Sequence, residues 1–297
     1  MKIFFTDIFE LPLPDGHRFP MEKYRLLREA VTDVGELMVP DALDDEQLAR
    51  AHDRAYIDAV CQGRVEEAMM RRIGFPWSPQ LVERSRRSAG ATLAAGRAAL
   101  EDGVAVNIAG GTHHAGPDFG AGYCVFNDSA LAVRNLRHEA RARRFLIVDT
   151  DVHPGNGTAA ILAGDPEAFT LSLHGARNYP FRRFDSDLDI ALPDGTGDEE
   201  YLDTLARSLD HGFDRARPEL VLYVSGADPF TGDKLGRLAL SKDGLAARDR
   251  MVFAACRERE VPVAVAMGGG YARAIADTVA IHEKTVRLAA ANRIPAC

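Results

Sequence analysis

Three residues able to ligate a metal ion alternate along one short segment of the chain. Asp149, Asp151 and His153 are spaced two residues apart, directly after a strongly apolar stretch typical of a buried strand. Because side chains alternate between the two faces of a strand, all three would point the same way. Carboxylates and an imidazole on one face suit a divalent cation. Taken alone, the segment fits a helix-capping turn as well as a metal site.

Other chemically capable residues follow other apolar stretches. Asp228 stands before a proline, where it is either a further carboxylate ligand or a turn-forming residue. His113 and His114 are adjacent and flanked by glycines, which packing alone explains poorly. Tyr271 follows three glycines, which either let the backbone approach a neighbour closely or simply begin a helix.

Together these residues have the chemistry of a catalytic zinc hydrolase. Three protein ligands would leave a fourth zinc position for water and substrate, and zinc would lower the pKa of that water to about 7. A nearby histidine could take the proton of the water and return it to a leaving amine. A tyrosine hydroxyl could donate to the oxyanion. The set therefore predicts metal-assisted amide hydrolysis.

Apolar stretches of strand length alternate with segments of helical periodicity. The strand-like stretches are residues 2–6, 104–109, 145–149, 169–173, 220–225 and 261–267. The helical segments are residues 21–34, 79–101, 128–142, 198–215, 241–260 and 271–291, of which two begin after the capping residues Ser78 and Ser241. This alternation predicts an α/β fold with an open, mostly parallel sheet covered by helices on both faces.

The carboxyl ends of the predicted strands carry the chemically capable residues. Nearly every strand-like stretch runs into glycines and polar side chains. In an open parallel sheet these ends share one edge, where ligands bind, so we expect the clusters to converge there. Residues 174–199 read as a long polar loop and are a candidate for the rim of the site.

The bulk composition is that of an ordinary globular protein, with 297 residues, 46% hydrophobic and 27% charged. We expect residues 1–297 to form a single domain. The net charge is −8, and the arginines occur singly or in short pairs such as Arg71-Arg72 and Arg182-Arg183, which are typical of solvated helix faces. This pattern argues against nucleic-acid binding.

Targeting signals are not apparent in the sequence. The apolar stretch at the N-terminus is too short and too charged for a signal peptide, and no stretch approaches the roughly 18 apolar residues of a membrane span. The four cysteines are widely spaced and form no CxxC pair, so reduced thiols are expected. We therefore expect a cytoplasmic protein that binds no membrane. The oligomeric state is left open.

Six blocks in order along most of the chain resemble the histone deacetylase family of the arginase/deacetylase superfamily. The blocks are FPMEKYR (19–25), GGTHHAGPDFGAGYCVFND (110–128), VDTDVHPGNGT (148–158), SLHG (172–175), GADPFTGDKLGRLALS (226–241) and GGGY (268–271). The GGTHHA form, Pro154 and the small size are similar to bacterial and class IV-like members. The resemblance implies an eight-stranded arginase/deacetylase fold and hydrolysis of acetyl or longer acyl groups from lysine side chains.

The resemblance also implies a role for each matching residue. Zinc, or ferrous iron in the cell, would be held by Asp151, His153 and Asp228. His114 would be the general base and acid, His113 would be oriented by Asp149, and Tyr271 would donate to the oxyanion. The chain departs from the family at Asn156, which would orient His114 and stands where many members have Asp. A neutral amide stabilises a positive charge on His114 less well than a carboxylate would.

Further positions are implied for a potassium ion and for the substrate channel. Potassium would be bound beside the zinc strand by Asp149, Ser172 and Leu173 with the backbone of Asp151 and His153. The channel would be formed by Gly122, Tyr123, Leu235 and Gly269, with Arg25 lining an inner cavity that handles released acetate. Leu235 occupies the position of an acidic gatekeeper in polyamine deacetylases, which favours an acyl-lysine protein or peptide as substrate.

Three alternatives stay open at the level of sequence. An acetylpolyamine amidohydrolase would share the same site. A binuclear manganese ureohydrolase would need more bridging carboxylates than the segment Asp151-Val-His153-Pro-Gly supplies. A non-catalytic acyl-lysine binding module would be expected to have lost Tyr271 or a metal ligand, and all are present.

Overall fold

The computed structural model describes residues 1–180 and 184–292. Arg182 and Arg183, for which a solvated helix face is predicted, lie outside the described residues. Among the described helices, none combines the length and apolarity that crossing a membrane requires.

An eight-stranded sheet in which every strand pair is parallel forms the centre of the molecule. The strands, in chain order, are β1 (Lys2–Phe4), β2 (Glu36–Met38), β3 (Val104–Asn107), β4 (Phe145–Asp149), β5 (Ala168–Gly175), β6 (Leu188–Leu192), β7 (Leu220–Ser225) and β8 (Val263–Met267). Their order across the sheet is β2-β1-β3-β8-β7-β4-β5-β6. The predicted open parallel α/β architecture is confirmed.

Helices cover both faces of the sheet. They are α1 (Glu22–Ala30), α2 (Asp45–Leu48), α3 (Arg54–Cys61), α4 (Glu67–Ile73), α5 (Pro79–Asp102), α6 (Asp128–His138), α7 (Asn156–Leu162), α8 (Asp198–Ala216), α9 (Lys242–Glu258) and α10 (Ile275–Ala291). Helices α1, α8, α9 and α10 pack on one face, and α2, α3, α5, α6 and α7 pack on the other.

The central strands are apolar throughout because both of their faces are buried. In β4, Leu146 and Val148 point into the core beneath α8 and α9, whereas Phe145 and Ile147 point into the core beneath α5 and α6. The chain can therefore bury every side chain of this strand. This burial holds the strand end, and so Asp149, in a defined position.

Two strands escaped the sequence prediction, and both lie at edges of the sheet. β2 is only three residues long, and β6 alternates between exposed and half-buried positions, so neither produces a continuous apolar run. The segment 174–199 is therefore not a loop throughout, because β6 pairs with β5 inside it. Helix α10 begins at Ile275, four residues later than predicted, because the chain after Tyr271 first turns at the sheet edge.

Candidate active site

Four adjacent strands, β3, β8, β7 and β4, deliver the chemically capable residues to one edge of the sheet. The loops that follow them are tied together through their backbones. Gly268 N donates to Ser225 O at 2.9 Å, and Ala227 N donates to Gly269 O at 2.7 Å. Gly157 N donates to His113 O at 2.9 Å. The residue clusters expected to converge from these strands do so around one cavity.

The candidate metal site consists of Asp151, His153 and Asp228, whose ligand atoms all lie within 4.8 Å of one another. Backbone amides aim the carboxylates, because Gly269 N donates to Asp151 Oδ2 at 2.6 Å and Val152 N donates to Asp228 Oδ1 at 2.9 Å. The second oxygen of Asp228 is buried and makes no hydrogen bond among the described residues, although His153 Nδ1 lies 3.3 Å from it. A buried carboxylate oxygen without a partner is costly unless a cation binds it.

The electrostatics of this site also fit a cation. Burial, and the negative charge of Asp151, raise the pKa of Asp228 to about 7. Burial would also raise the pKa of Asp151, but the charge of His113 and the hydrogen bond and charge of His153 hold it well below its usual range. Two buried carboxylates this close repel each other, and a divalent cation between them would relieve that repulsion.

Gly269 leaves space for the two carboxylates to face each other. A Cβ atom at this position would lie 1.9 Å from Asp228 Oδ2 and 2.9 Å from Asp151 Oδ2. Contacts this short are impossible, so any other residue would displace the ligand oxygens. The fit of the three side chains to a bound ion therefore depends on a glycine in the following loop.

The tandem histidines lie beside the candidate metal site with different partners. His113 Nδ1 is 2.7 Å from Asp149 Oδ2, and His114 Nδ1 is 2.8 Å from Asn156 Oδ1. A carbonyl oxygen only accepts, so His114 donates from Nδ1 and its Nε2 is left free to accept a proton. The two imidazole rings are 4.1 Å apart between centroids.

The partners give the histidines opposite protonation preferences. Burial lowers the pKa of His113, but the carboxylates of Asp149 and Asp151 outweigh this effect and raise it to about 9. Burial, together with the positive charges of His113 and His153, lowers the pKa of His114 well below its ordinary value. This geometry favours a protonated His113 and a neutral His114.

A cavity of about 460 Å³ leads from the surface to these residues. The predicted channel residues Gly122, Tyr123, Leu235 and Gly269 all line it, together with Tyr271. The Tyr123 and Tyr271 rings are 6.0 Å apart between centroids. Burial raises the pKa of Tyr271 well above its ordinary value, so its hydroxyl retains the proton needed for hydrogen-bond donation. Leu235, 47% exposed, stands where the cavity opens.

Tyr179 is a wall residue that the sequence analysis missed. It lines the same cavity, and its ring lies edge-on to His114 at 5.4 Å between centroids. It follows β5 in the polar segment that was expected to form the rim. The segment contains three aromatic residues, Tyr179, Phe181 and Phe184, and this aromatic cluster in an otherwise polar rim is the signal that could have pointed to it.

Arg25 does not line an inner cavity, and this expectation is wrong. It is exposed on α1, where it pairs with Glu22 and Glu29, each at 2.9 Å. Residues two apart in a helix point in nearly opposite directions, and α1 turns Lys23 and Leu27 inward.

A smaller cavity of about 70 Å³ behind Tyr271 instead has two other cationic side chains in its wall. Lys23 Nζ lies 5.2 Å from the centroid of the Tyr271 ring and 3.4 Å from Gly270 O. Arg84 donates to Thr6 O at 2.7 Å. Lys23 and Arg84 thus occupy the place that the sequence assigned to Arg25.

The residues predicted to bind potassium lie together beneath the candidate metal site. Asp149 of β4 and Ser172 of β5 are direct neighbours in the sheet, and Leu173 follows on β5. Ser172 Oγ is 2.9 Å from His174 Nδ1. The register of β4 and β5 thus brings the residues expected to bind potassium side by side.

The molecule is an α/β protein with a cavity at the carboxyl edge of its parallel sheet. A candidate metal-ligand set and paired histidines at the base of this cavity are the site of a metal-dependent hydrolase. A family model described as the histone deacetylase domain matches residues 17–286. The chain belongs to this family, whose members hydrolyse amide bonds and generally depend on a metal ion.

Similar proteins come from bacteria and plants. An uncharacterised protein of Picosynechococcus is 43% identical over 94% of each chain. Histone deacetylase 2 of Arabidopsis thaliana is 38% identical over 65% of this chain and 52% of its own length. The crystal structure of a histone deacetylase homologue from Aquifex aeolicus has a TM-score of 0.82, covering 98% of this chain and 84% of the other. At 23% identity, this structural match shows a shared fold and nothing more.

Proposed function

We propose that this protein is a zinc-dependent lysine deacylase, which removes acetyl or longer acyl groups from the side-chain amine of lysine. The observation that carries the proposal is the arrangement at the base of the cavity. Asp151, His153 and Asp228 lie beside an unprotonated His114 Nε2 and a protonated Tyr271 hydroxyl. All of these groups are reached from the surface through one aromatic-walled passage.

The residues would divide the reaction between them. Asp151, His153 and Asp228 would hold the zinc ion, which when bound polarises the amide carbonyl and makes water a stronger nucleophile. His114 Nε2 takes the proton of the attacking water and returns it to the departing lysine amine. Tyr271 donates its hydroxyl to the carbonyl oxygen as negative charge develops there.

The surrounding residues support these steps. Asn156 keeps Nδ1 of His114 protonated, so that Nε2 faces the substrate as the base. His113, held by Asp149, adds a positive charge beside the developing oxyanion. Tyr123 and Tyr179 form apolar walls for the aliphatic stem of the acyl-lysine and keep bulk water from the scissile bond.

Acetylpolyamines are the alternative substrates, and the mouth of the cavity favours acyl-lysine over them. Leu235 is exposed at that mouth, where an acidic gatekeeper would hold a polycation. An apolar side chain at this position can pack against a peptide but offers no negative charge to a polyamine. The acyl group, acetyl or longer, is the variable that the substrate panel compares.

A substrate panel tests the proposal directly. Purified protein with its metal content measured is assayed on acetyl-lysine peptides, longer acyl-lysine peptides and acetylpolyamines. We expect turnover of acyl-lysine peptides, reduced about 10²- to 10³-fold in kcat by Tyr271→Phe, which removes one oxyanion donor. Preference for acetylpolyamines over every acyl-lysine would overturn the substrate assignment. Equal silence of wild type and variant on all substrates would favour a binding module.

Metal replacement separates the proposal from a ureohydrolase. We expect chelation to abolish activity and one equivalent of Zn²⁺ or Fe²⁺ per chain to restore it. A requirement for two Mn²⁺ ions per chain would instead indicate binuclear chemistry.

The same proposal includes three further features of the protein. They are a structural potassium ion at Asp149, Ser172 and Leu173, a single domain spanning residues 1–297, and a cytoplasmic location.

A further inference from the structure

Four arginines line the cavity that leads to the candidate active site. They are Arg71, Arg72, Arg177 and Arg237, all exposed, and together they form what we call the arginine rim. The carboxylates in the described wall of this cavity are Asp151 and Asp228, which lie at its base as candidate metal ligands. The opening is therefore basic although the chain as a whole carries a net charge of −8.

Nearby carboxylates neutralise only part of the arginine rim. Arg71 pairs with Glu67 one turn earlier on α4. Arg177 and Arg237 share a single partner, Asp194, at 3.8 Å and 3.0 Å. Arg72 has no carboxylate within ion-pair distance in the described parts of the chain. Four positive charges thus face two negative ones, and Arg72 is the least compensated of the four.

The backbone holds Arg72 at the channel wall. It lies in the last turn of α4, and its carbonyl oxygen accepts a hydrogen bond of 2.9 Å from Gly122 N. The same helix end binds Tyr123, because Tyr123 N donates to Ile73 O at 2.7 Å. The backbone of Arg72 is therefore fixed beside the channel that would hold the acyl-lysine stem. Its side chain also lines a second cavity of about 240 Å³ next to Tyr179.

The charges at the cavity opening affect an approaching substrate more than the net charge of the whole molecule does. At physiological ionic strength the Debye length is about 8 Å, so the acidic surface elsewhere on the molecule is largely screened from the opening. Charges that line a cleft act directly on whatever enters it, and they affect mainly the rate of association and the choice of partner.

We propose that the arginine rim selects acyl-lysine residues whose sequence neighbours are acidic, and that it disfavours polycationic substrates. This inference rests on the proposed deacylase function and narrows its substrate class to acidic peptide segments. Carboxylates on either side of the acyl-lysine would pair with Arg72 and Arg237 while the stem occupies the channel.

Matched acetyl-lysine peptides flanked on both sides by glutamates, alanines or lysines test the inference. We expect kcat/KM to fall in that order, with the acidic peptide favoured over the basic one by on the order of tenfold at low ionic strength. Added salt should reduce the ratio. Arg72→Glu should lower the ratio several-fold, and Arg72→Lys, which keeps the charge, should largely preserve it.

The control variant is Arg250→Glu, which makes the same charge change on an exposed residue of α9 outside the cavity wall. It should leave the acidic-to-basic ratio unchanged. A ratio of one or below in the wild-type protein would overturn the inference while leaving the deacylase function intact. So would an equal effect of Arg250→Glu and Arg72→Glu.

Binding supplies a readout that does not depend on turnover. Fluorescence anisotropy with the Tyr271→Phe protein should show tighter binding of the acidic peptide than of the basic one. If no substrate is turned over but this difference is present, the proposed function fails and the charge selection stands. Equal or reversed affinities would refute the charge selection.

Discussion

Asn156 holds His114, the proposed general base, through a neutral side chain. Its amide oxygen orients His114 but carries no charge to stabilise a protonated imidazole. The pKa of His114 is lowered by burial and by the positive charge of His113, and nothing at Nδ1 opposes that effect strongly. His114 is consequently unprotonated down to low pH and is a weaker base toward water, but once protonated it is a stronger proton donor to the leaving amine.

Asn156→Asp should therefore shift the pH dependence of the reaction. A carboxylate at Nδ1 raises the pKa of His114, so the base is protonated up to a higher pH. The acidic limb of the kcat/KM profile should move to higher pH, by about one unit or more. The measurement is a pH–rate profile of both proteins, with Asn156→Ala as a control that loses orientation without adding charge. An unmoved or lowered acidic limb would contradict this view of Asn156.

Gly269 offers a test of the metal site that does not rely on activity. Gly269→Ala would place a Cβ 1.9 Å from Asp228 Oδ2 and displace the ligand, so we expect the purified protein to retain little metal. Metal content is measured by mass spectrometry, and circular dichroism monitors the fold. Gly197→Ala is the matched control, because its Cβ meets no heavy atom within 4 Å and its φ is −97°. Stoichiometric metal in Gly269→Ala would argue against this site.

At the scale of elements, helix starts position the loops of the site. Ser78 caps α5, accepting a hydrogen bond from Leu81 N at 3.1 Å, and Ser241 caps α9, accepting from Gly244 N at 2.9 Å. Both are serine caps of the kind that the sequence predicts. Ser241 differs in that its hydroxyl also donates to Asp198 Oδ2 at 2.6 Å and so joins α9 to the start of α8.

The two caps should consequently differ in their contribution to stability. Ser78→Ala should lower the free energy of unfolding by about 1 kcal/mol, the usual value of an N-cap. Ser241→Ala should cost more, by roughly another 1 kcal/mol, because it also removes a hydrogen bond to a carboxylate. Urea denaturation followed by circular dichroism measures both. Equal losses would show that the bond to Asp198 adds nothing.

At the scale of the whole molecule, a buried polar network joins the sheet to two helices beneath the site. Arg248 of α9 is fully buried and donates to Gly226 O at 2.6 Å and to Ser225 Oγ at 2.7 Å. Asp249 accepts from Tyr223 of β7 and Thr285 of α10, each at 2.5 Å. The network holds the carboxyl end of β7, from which the chain continues to Asp228.

Removing the cation from this network should destabilise the whole fold. Arg248→Met leaves Asp249 charged and buried without its guanidinium partner, and we expect a loss of about 3 to 5 kcal/mol. A double variant that also replaces Asp249 with Leu should recover part of this loss, because it removes the uncompensated charge. Chemical denaturation of wild type and both variants measures their free energies of unfolding. A single variant as stable as wild type would rule out this account of the network.

Local patterns predicted six of the eight described strands, the six longest described helices and the candidate ligands. The shorter helices α2, α3, α4 and α7 were not predicted. Period-two spacing pointed to Asp149, Asp151 and His153, but β4 ends at Asp149, so the loop after the strand places the other two residues. The carboxyl-edge rule correctly brought Asp228 and Tyr271 to the same cavity. The sequence did not predict edge strand β6, and it assigned Arg25 to the place that Lys23 occupies. Both features depend on which face of an element meets the core. Tyr179 and the charge at the cavity mouth were decided by tertiary structure alone, since distant loops meet there and their charges add by distance in space rather than along the chain.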